Sequence, residues 1–249
     1  MKLGRNPSPA APKLKLADFL DVSWWKPKVP ENFGHTKAVA NWGMLGNDRY
    51  GDCVWAGAAH EHMLWNAAND RTVDFTDDNV LQAYSDVTGF RKDDPNSDQG
   101  TDMATAARYR QKYGLEDSLG RVHKIGAYLA LEPGDLDQLA TATYLFGAVG
   151  IGIIVTDVAM DQFNKGKPWT YVRRANAEGG HYVPVTARQS GLYLPISWAR
   201  PQPMSPHYYE KQADEIIAYV SEDYLDNDKS PEGFDSNALV TALRHVRSL

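Results

Sequence analysis

The hydrophobic period of this chain changes part-way along, and that change constrains the fold more than any other feature. Between residues 53 and 146 apolar residues mostly recur at three- and four-residue spacing, as on helices that bury one stripe. Ala148 to Val155 is instead a continuous apolar run, which fits a buried strand. From Gly180 onward, residues 181–187, 191–198 and 215–220 read as strands of an antiparallel sheet. Helices first and a sheet afterwards point to an α+β fold, a helical lobe followed by an antiparallel sheet lobe, rather than alternating α/β.

The first long helix is expected to start at Asp52 or Cys53 and run through Ala56, Ala59, Met63, Leu64 and Ala67. Thr76 is the expected N-cap of a second helix, with Asp77 and Asp78 in its first turn. A third helix covers 101–114 and stops at Gly114, and 126–131 fits a strand. Leu136, Leu139, Ala142, Leu145 and Phe146 fit a helix ending near Gly147, and a short helix follows near Met160. Residues 201–206, with three prolines, read as a long loop after Trp198.

Residues 1–35 hold Pro7, Pro9, Pro12, Pro27 and Pro30 and read as an extended, basic, proline-rich arm. Lys2, Arg5, Lys13 and Lys15 all precede the first acid, Asp18; such a cluster is either a solvated tail or an arm that docks an acidic assembly partner. Trp24 and Trp25 are expected to pack on the domain. Residues 36–225 are the expected domain, and 226–249 a C-terminal surface tail with one short amphipathic helix carrying Leu239, Leu243 and Val246.

With 249 residues and 43% hydrophobic content the chain can build a substantial core. A net charge of −6 provides no basic field for nucleic acid, and no apolar run is long enough for a membrane span. The N-terminus lacks the apolar segment of a signal peptide, and one cysteine permits no internal disulfide. These features lead to the expectation of a cytoplasmic or virion-associated protein that is not secreted by a signal peptide.

The single cysteine sits in Gly51-Asp52-Cys53-Val54-Trp55, where a glycine-bearing loop turns into an apolar helix. A thiol in the first turn of a helix meets unpaired N–H groups and the positive end of the macrodipole, both of which favour thiolate. His181, in Gly179-Gly180-His181-Tyr182-Val183, opens a strand far downstream. Cysteine on an early helix and histidine on a late strand are the two halves of a nucleophile pair. The plainer readings are a buried, inert cysteine and a sheet histidine bonded to backbone.

In this order, the segments resemble the papain-like cysteine peptidase superfamily over roughly residues 35 to 225. Gly51-Asp52-Cys53 is similar to the head of that family's central helix, and Arg110-Gln111-Lys112-Tyr113-Gly114 to the end of a later helix. Asp161-Gln162-Phe163-Asn164-Lys165-Gly166 is similar to the segment before the histidine strand, and Ser197-Trp198 to the end of an Asn-Ser-Trp motif. The Asp-Cys dipeptide also resembles the related bacteriocin-processing peptidases. The resemblance implies a cleft between helical and sheet lobes, with Cys53 as nucleophile, His181 as general base and acid, and Gly51, Gly180 and Trp198 on the cleft wall. It implies an oxyanion donor at Asn47, six residues before the cysteine, where the family has glutamine; Asn47 also reads as an ordinary turn residue. A correctly placed oxyanion donor contributes about 2.7–4 kcal/mol. The family's orienting asparagine aligns with Ile196, which has neither donor nor acceptor, leaving Ser197 or an acid from elsewhere to take its place. No full prosegment is expected ahead of the domain.

His60 and His62 lie on different helix faces and read as ordinary helix residues; no metal site and no cofactor is expected. Asp77-Asp78 and Asp93-Asp94 lack the EF-hand pattern, and Gly147, Gly150 and Gly152 form no phosphate fingerprint. The leading expectation is a papain-like cysteine hydrolase acting on a peptide or isopeptide bond of a peptide or protein substrate. The alternative is a catalytically weak or inactive papain-like protein with a structural or binding role in a larger assembly, such as a virus particle; an unrelated α+β binding protein is the third reading.

Overall fold

A computed structural model of the chain describes residues 1–225 and 229–232. The amphipathic segment expected around Leu239, Leu243 and Val246 lies outside the described residues. The chain opens with β1 (Arg5–Asn6), α1 (Val22–Trp25) and β2 (Phe33–Gly34). The helical part follows as α2 (Cys53–Ala67), α3 (Asp77–Thr88), β3 (Thr101–Asp102), α4 (Met103–Lys112), β4 (Leu115–Glu116) and β5 (Val122–His123). Then come β6 (Ala127–Ala130), α5 (Leu136–Phe146), β7 (Val149–Thr156) and α6 (Asp157–Asn164). The chain continues through β8 (Ala177–Gln189), β9 (Leu192–Ser197), β10 (Arg200–Pro201), α7 (Pro206–Gln212) and β11 (Ala213–Val220). The main sheet runs β10-β9-β8-β7-β11-β6, every pair antiparallel, with β2 added on β8.

The sheet separates two apolar cores, and its strands alternate between them. On β11, Ile216, Ala218 and Val220 face one core and Ile217 and Tyr219 the other; on β8, Val183 and Val185 oppose Tyr182 in the same way. This explains strands that read as nearly unbroken apolar runs. α5, α6 and α7 cover one face. On the other lies α2, buried from Cys53 to Asn66 all round rather than along one stripe, with His60, Glu61, His62 and Asn66 among its buried side chains. It approaches β8 so closely that a Cβ at Gly57 would strike the Tyr182 ring.

Buried charges join these layers. Glu61 of α2 accepts from Arg110 of α4 at 2.6 Å and from the hydroxyl of Tyr182 on β8. The Arg110 guanidinium also lies 4.3 Å from the centre of the Tyr219 ring.

The helix starts follow local rules. Thr76 and Asn79 form a reciprocal capping box on α3, Asp102 caps α4, and Asp135 caps α5. Two details differ from expectation. Residues 201–206 end in a helix, α7, because Ser205 caps it and Pro206 at its first turn lacks only an N–H that no helix bond needs. Trp24 is 55% exposed rather than packed, carrying the Lys28 ammonium over its ring, while Trp25 packs against the core.

Candidate active site

Cys53 is the first residue of α2 and is 1% exposed. The N–H groups of Tyr182 on β8 and of Gly4 in the arm face its sulfur, so the thiol sits where helix, sheet and arm meet. Burial pushes its pKa from 9.0 up to about 12, outweighing these N–H groups. The expected ionised thiol is therefore corrected: this helix N-terminus is covered, and desolvation exceeds the help from local dipoles.

His181 on β8 is also 1% exposed. Its Nε2 shares a hydrogen bond of 3.0 Å with Ser197 Oγ, and its ring stacks on Trp198 with centroids 4.3 Å apart and planes 15° from parallel. Ser197 thus stands as the polar neighbour that Ile196 cannot be; Ile196 is buried in the core. Trp198 is held at φ +43°, a left-handed conformation that costs a bulky residue strain and turns the chain sharply after β9. Nδ1 of His181 has no partner, so no hydrogen bond joins the imidazole to Cys53. Burial lowers its pKa from 6.5 to about 3. In this closed arrangement both groups are neutral at neutral pH.

Asn47 is buried, with Nδ2 3.1 Å from Tyr50 O, 3.2 Å from Asp52 Oδ1 and 3.4 Å from Lys2 O. Turn and donor roles coexist there. Asp52 is fully buried, and burial raises its carboxyl well above the usual range against the opposing bond from Asn47.

The arm does not hang free. Lys2 N–H donates to Asn47 O at 2.9 Å, and Lys2 O lies 3.3 Å from Trp198 Nε1. Thr101 N–H donates to Gly4 O at 2.8 Å, and β1 runs parallel to β3. Three glycines let this backbone in: a Cβ at Gly4 would strike Gly51 O, one at Gly100 would strike Gly4 O, and one at Gly180 would strike Arg5 O. The Arg5 side chain is 2% exposed and crosses Gly152 to reach Asp214 and Glu215, each at 3.0 Å, while Ser8 donates to Glu215. Residues 2–8 are thus packed on the body of the chain itself, against Asn47, Gly51, Thr101, Gly180, Asp214 and Glu215.

The arm is the common neighbour: Gly51 and Gly180 pack against Gly4 and Arg5, Asn47 and Trp198 meet the Lys2 carbonyl, and the Tyr182 N–H that faces Cys53 follows His181 on β8. The basic residues of the arm were visible in the sequence; the acids that receive Arg5 stand about 210 positions away, with no local mark of their role.

Neither a known family profile nor a curated protein matches the chain. Solved structures do. Xylellain, a cysteine protease from Xylella fastidiosa, is 14% identical, with a TM-score of 0.65 over 88% of this chain and 95% of that one. Procathepsin B S9 from Trypanosoma congolense is 14% identical, with a TM-score of 0.61 over 88% of this chain and 86% of that one. Digestive procathepsin L 3 from the larval midgut of Tenebrio molitor is 16% identical, with a TM-score of 0.57 over 87% of this chain and 76% of that one. The fold is papain-like. That fold is shared with proenzymes, one of them digestive, and this overturns the expectation of a cytoplasmic or virion-associated location: the reasoning from one cysteine and no apolar leader does not assign a compartment to this fold. Among the described residues no helix is long and apolar enough to cross a membrane.

Proposed function

We propose that the chain is a papain-like cysteine hydrolase of peptide or isopeptide bonds whose cleft is closed by its own first residues. The observation that carries this reading is the oriented imidazole: His181 is bonded through Nε2 to Ser197 and stacked on Trp198, its Nδ1 is unpartnered, and the next residue on β8, Tyr182, turns its N–H to Cys53. In the open cleft Cys53 attacks the carbonyl carbon, His181 takes the thiol proton and returns it to the leaving amine, and water then releases the acyl group from sulfur. Asn47 Nδ2 and the Cys53 N–H would stabilise the oxyanion; the arm's Lys2 carbonyl already lies against that amide. The neutral pair of the closed state fits a latent enzyme, since water returning with the arm displaced restores the usual ionisation range of both groups.

The burial of Cys53 also favours a second reading, a non-catalytic protein that keeps the fold for a binding role. Alkylation of Cys53 by iodoacetamide from pH 4 to 10 separates the two, using the full chain with Arg5→Ala to loosen the arm. A hydrolase shows a reactive limb well below the ordinary thiol pKa of about 8.5, lost when His181→Ala is added. Identical profiles with and without His181 refute the catalytic reading.

A further inference from the structure

Far along α2 from Cys53, three side chains from three distant parts of the chain converge. His62 of α2 places Nδ1 2.7 Å from Asp223 Oδ2, and His123 of β5 places Nδ1 2.9 Å from the same oxygen. The ligand-capable atoms of the three all lie within 4.8 Å of one another. His62 is fully buried and His123 nearly so, while Asp223 is partly open. We propose that His62, His123 and Asp223 form a divalent-metal site of zinc type, separate from the Cys53 cleft.

The surroundings are those a metal site needs. The far nitrogen of His123, Nε2, lies 3.3 Å from Asp117 Oδ2, the outer carboxylate that fixes ring orientation and raises ligand basicity in metal-bound histidines. Asp117 is itself anchored: Arg121 Nε donates to it at 2.7 Å, and the N–H groups of Leu119 and Arg121 donate at 2.9 Å. Asp223 is fastened through its backbone, its carbonyl accepting from Asn69 at 3.2 Å and from Arg71, and its N–H donating to Ser221 Oγ at 3.2 Å. The groups that position the donors are therefore in place before any ion arrives.

The chemistry of the set selects the ion. Two imidazoles and one carboxylate suit zinc and its neighbours, whereas magnesium and calcium want oxygen ligands almost throughout. Three protein ligands leave a fourth position, and the cluster borders a surface cleft lined by Gln111, Val122, Lys124 and Glu222. An ion at about 2.0–2.2 Å from each donor spreads the two histidine–aspartate pairs by roughly half an ångström, a motion that side-chain rotation supplies. Lys124 does not compete for the cluster, because its ammonium donates to Lys112 O at 2.9 Å. The spacing of 62, 123 and 223 matches no sequence motif; only folding assembles it.

The test uses the full chain carrying Cys53→Ser, so that the lone thiol offers no ligand. Zinc chloride is titrated by calorimetry and cobalt(II) by visible absorption. One ion per chain is expected, with the intense visible bands of four-coordinate cobalt. Asp223→Asn, nearly isosteric and partly solvent-facing, should weaken binding a hundredfold or more; Asp117→Asn, which removes only the outer carboxylate, should weaken it about 10–100-fold. Circular dichroism checks that each variant is folded, and His62→Gln repeats the first result if it folds. Absence of saturable one-to-one binding, or unchanged binding in Asp223→Asn, overturns the proposal.

Discussion

Arg5→Ala should uncover Cys53, and the size of the effect follows from how Arg5 is held. Its guanidinium is 2% exposed between Glu215 at 11% and Asp214 at 45%. Removing one partner of a fully buried ion pair costs about 3–5 kcal/mol. Because Asp214 is nearly half in water, what the arm loses here falls at the lower end, about 3 kcal/mol. At roughly 1.4 kcal/mol per factor of ten, the released-arm population rises by about two orders of magnitude. When the arm opens and closes faster than iodoacetamide reacts, the alkylation rate tracks that population. Cys53 in the variant should therefore react about 100-fold faster than wild type at pH 8, with little change in global melting, since only residues 2–8 need detach. A rate within threefold of wild type would refute the reasoning, because something other than the arm would then cover the thiol.

Gly4→Ala should reproduce that acceleration by steric means, as its Cβ meets Gly51 O with no room to shift; mass spectrometry of the alkylated chain reads it. Ser197→Ala leaves His181 Nε2 buried without its partner and should cost about 1–3 kcal/mol in denaturant unfolding. Combined with Arg5→Ala, it should also lower any peptide hydrolysis, and Ser197→Asn should restore part of it. His60, whose Nε2 lies 2.9 Å from Trp42 O and 3.1 Å from Gly43 O, has its pKa lowered by burial from 6.5 to about 4. Between those values the unfolded chain binds a proton that the folded chain refuses, so stability falls as pH drops from 6.5 towards 4. His60→Gln should flatten the pH dependence of unfolding in that window by up to one proton, and an unchanged slope would contradict this.

The order of helices and strands was legible because each element carries its own period and punctuation: Thr76 caps α3 where the sequence places it, and Gly147 ends α5. Local placement was legible where neighbours stand close in sequence, as His181 after Gly180 on β8, or Ser197 and Trp198 at the end of β9. It failed where partners are remote. The dipole argument for Cys53 assumed a helix end open to water, and the residues that cover it lie almost fifty positions upstream in a segment without periodicity. His62 reads as a plain helix residue because His123 and Asp223 are far from it along the chain, and no local pattern pairs a histidine on a helix with a carboxylate just after β11.

The buried contact of Glu61 with Arg110 and Tyr182 bears on how anything could enter the cleft. Swinging the helices away from the sheet, in the manner of a jaw, would pull Tyr182 off Glu61 and draw the Arg110 guanidinium from the Tyr219 ring. It would leave a carboxylate and a guanidinium half wetted, short of both their partners and full hydration. Helices and sheet are in effect riveted through this charged centre, so that, on the proposed reading, the cleft is a fixed slot under a removable strip rather than a hinge. Access is then governed by the few residues that peel away at the N-terminus, and mutations there should alter opening rates without softening the body of the protein.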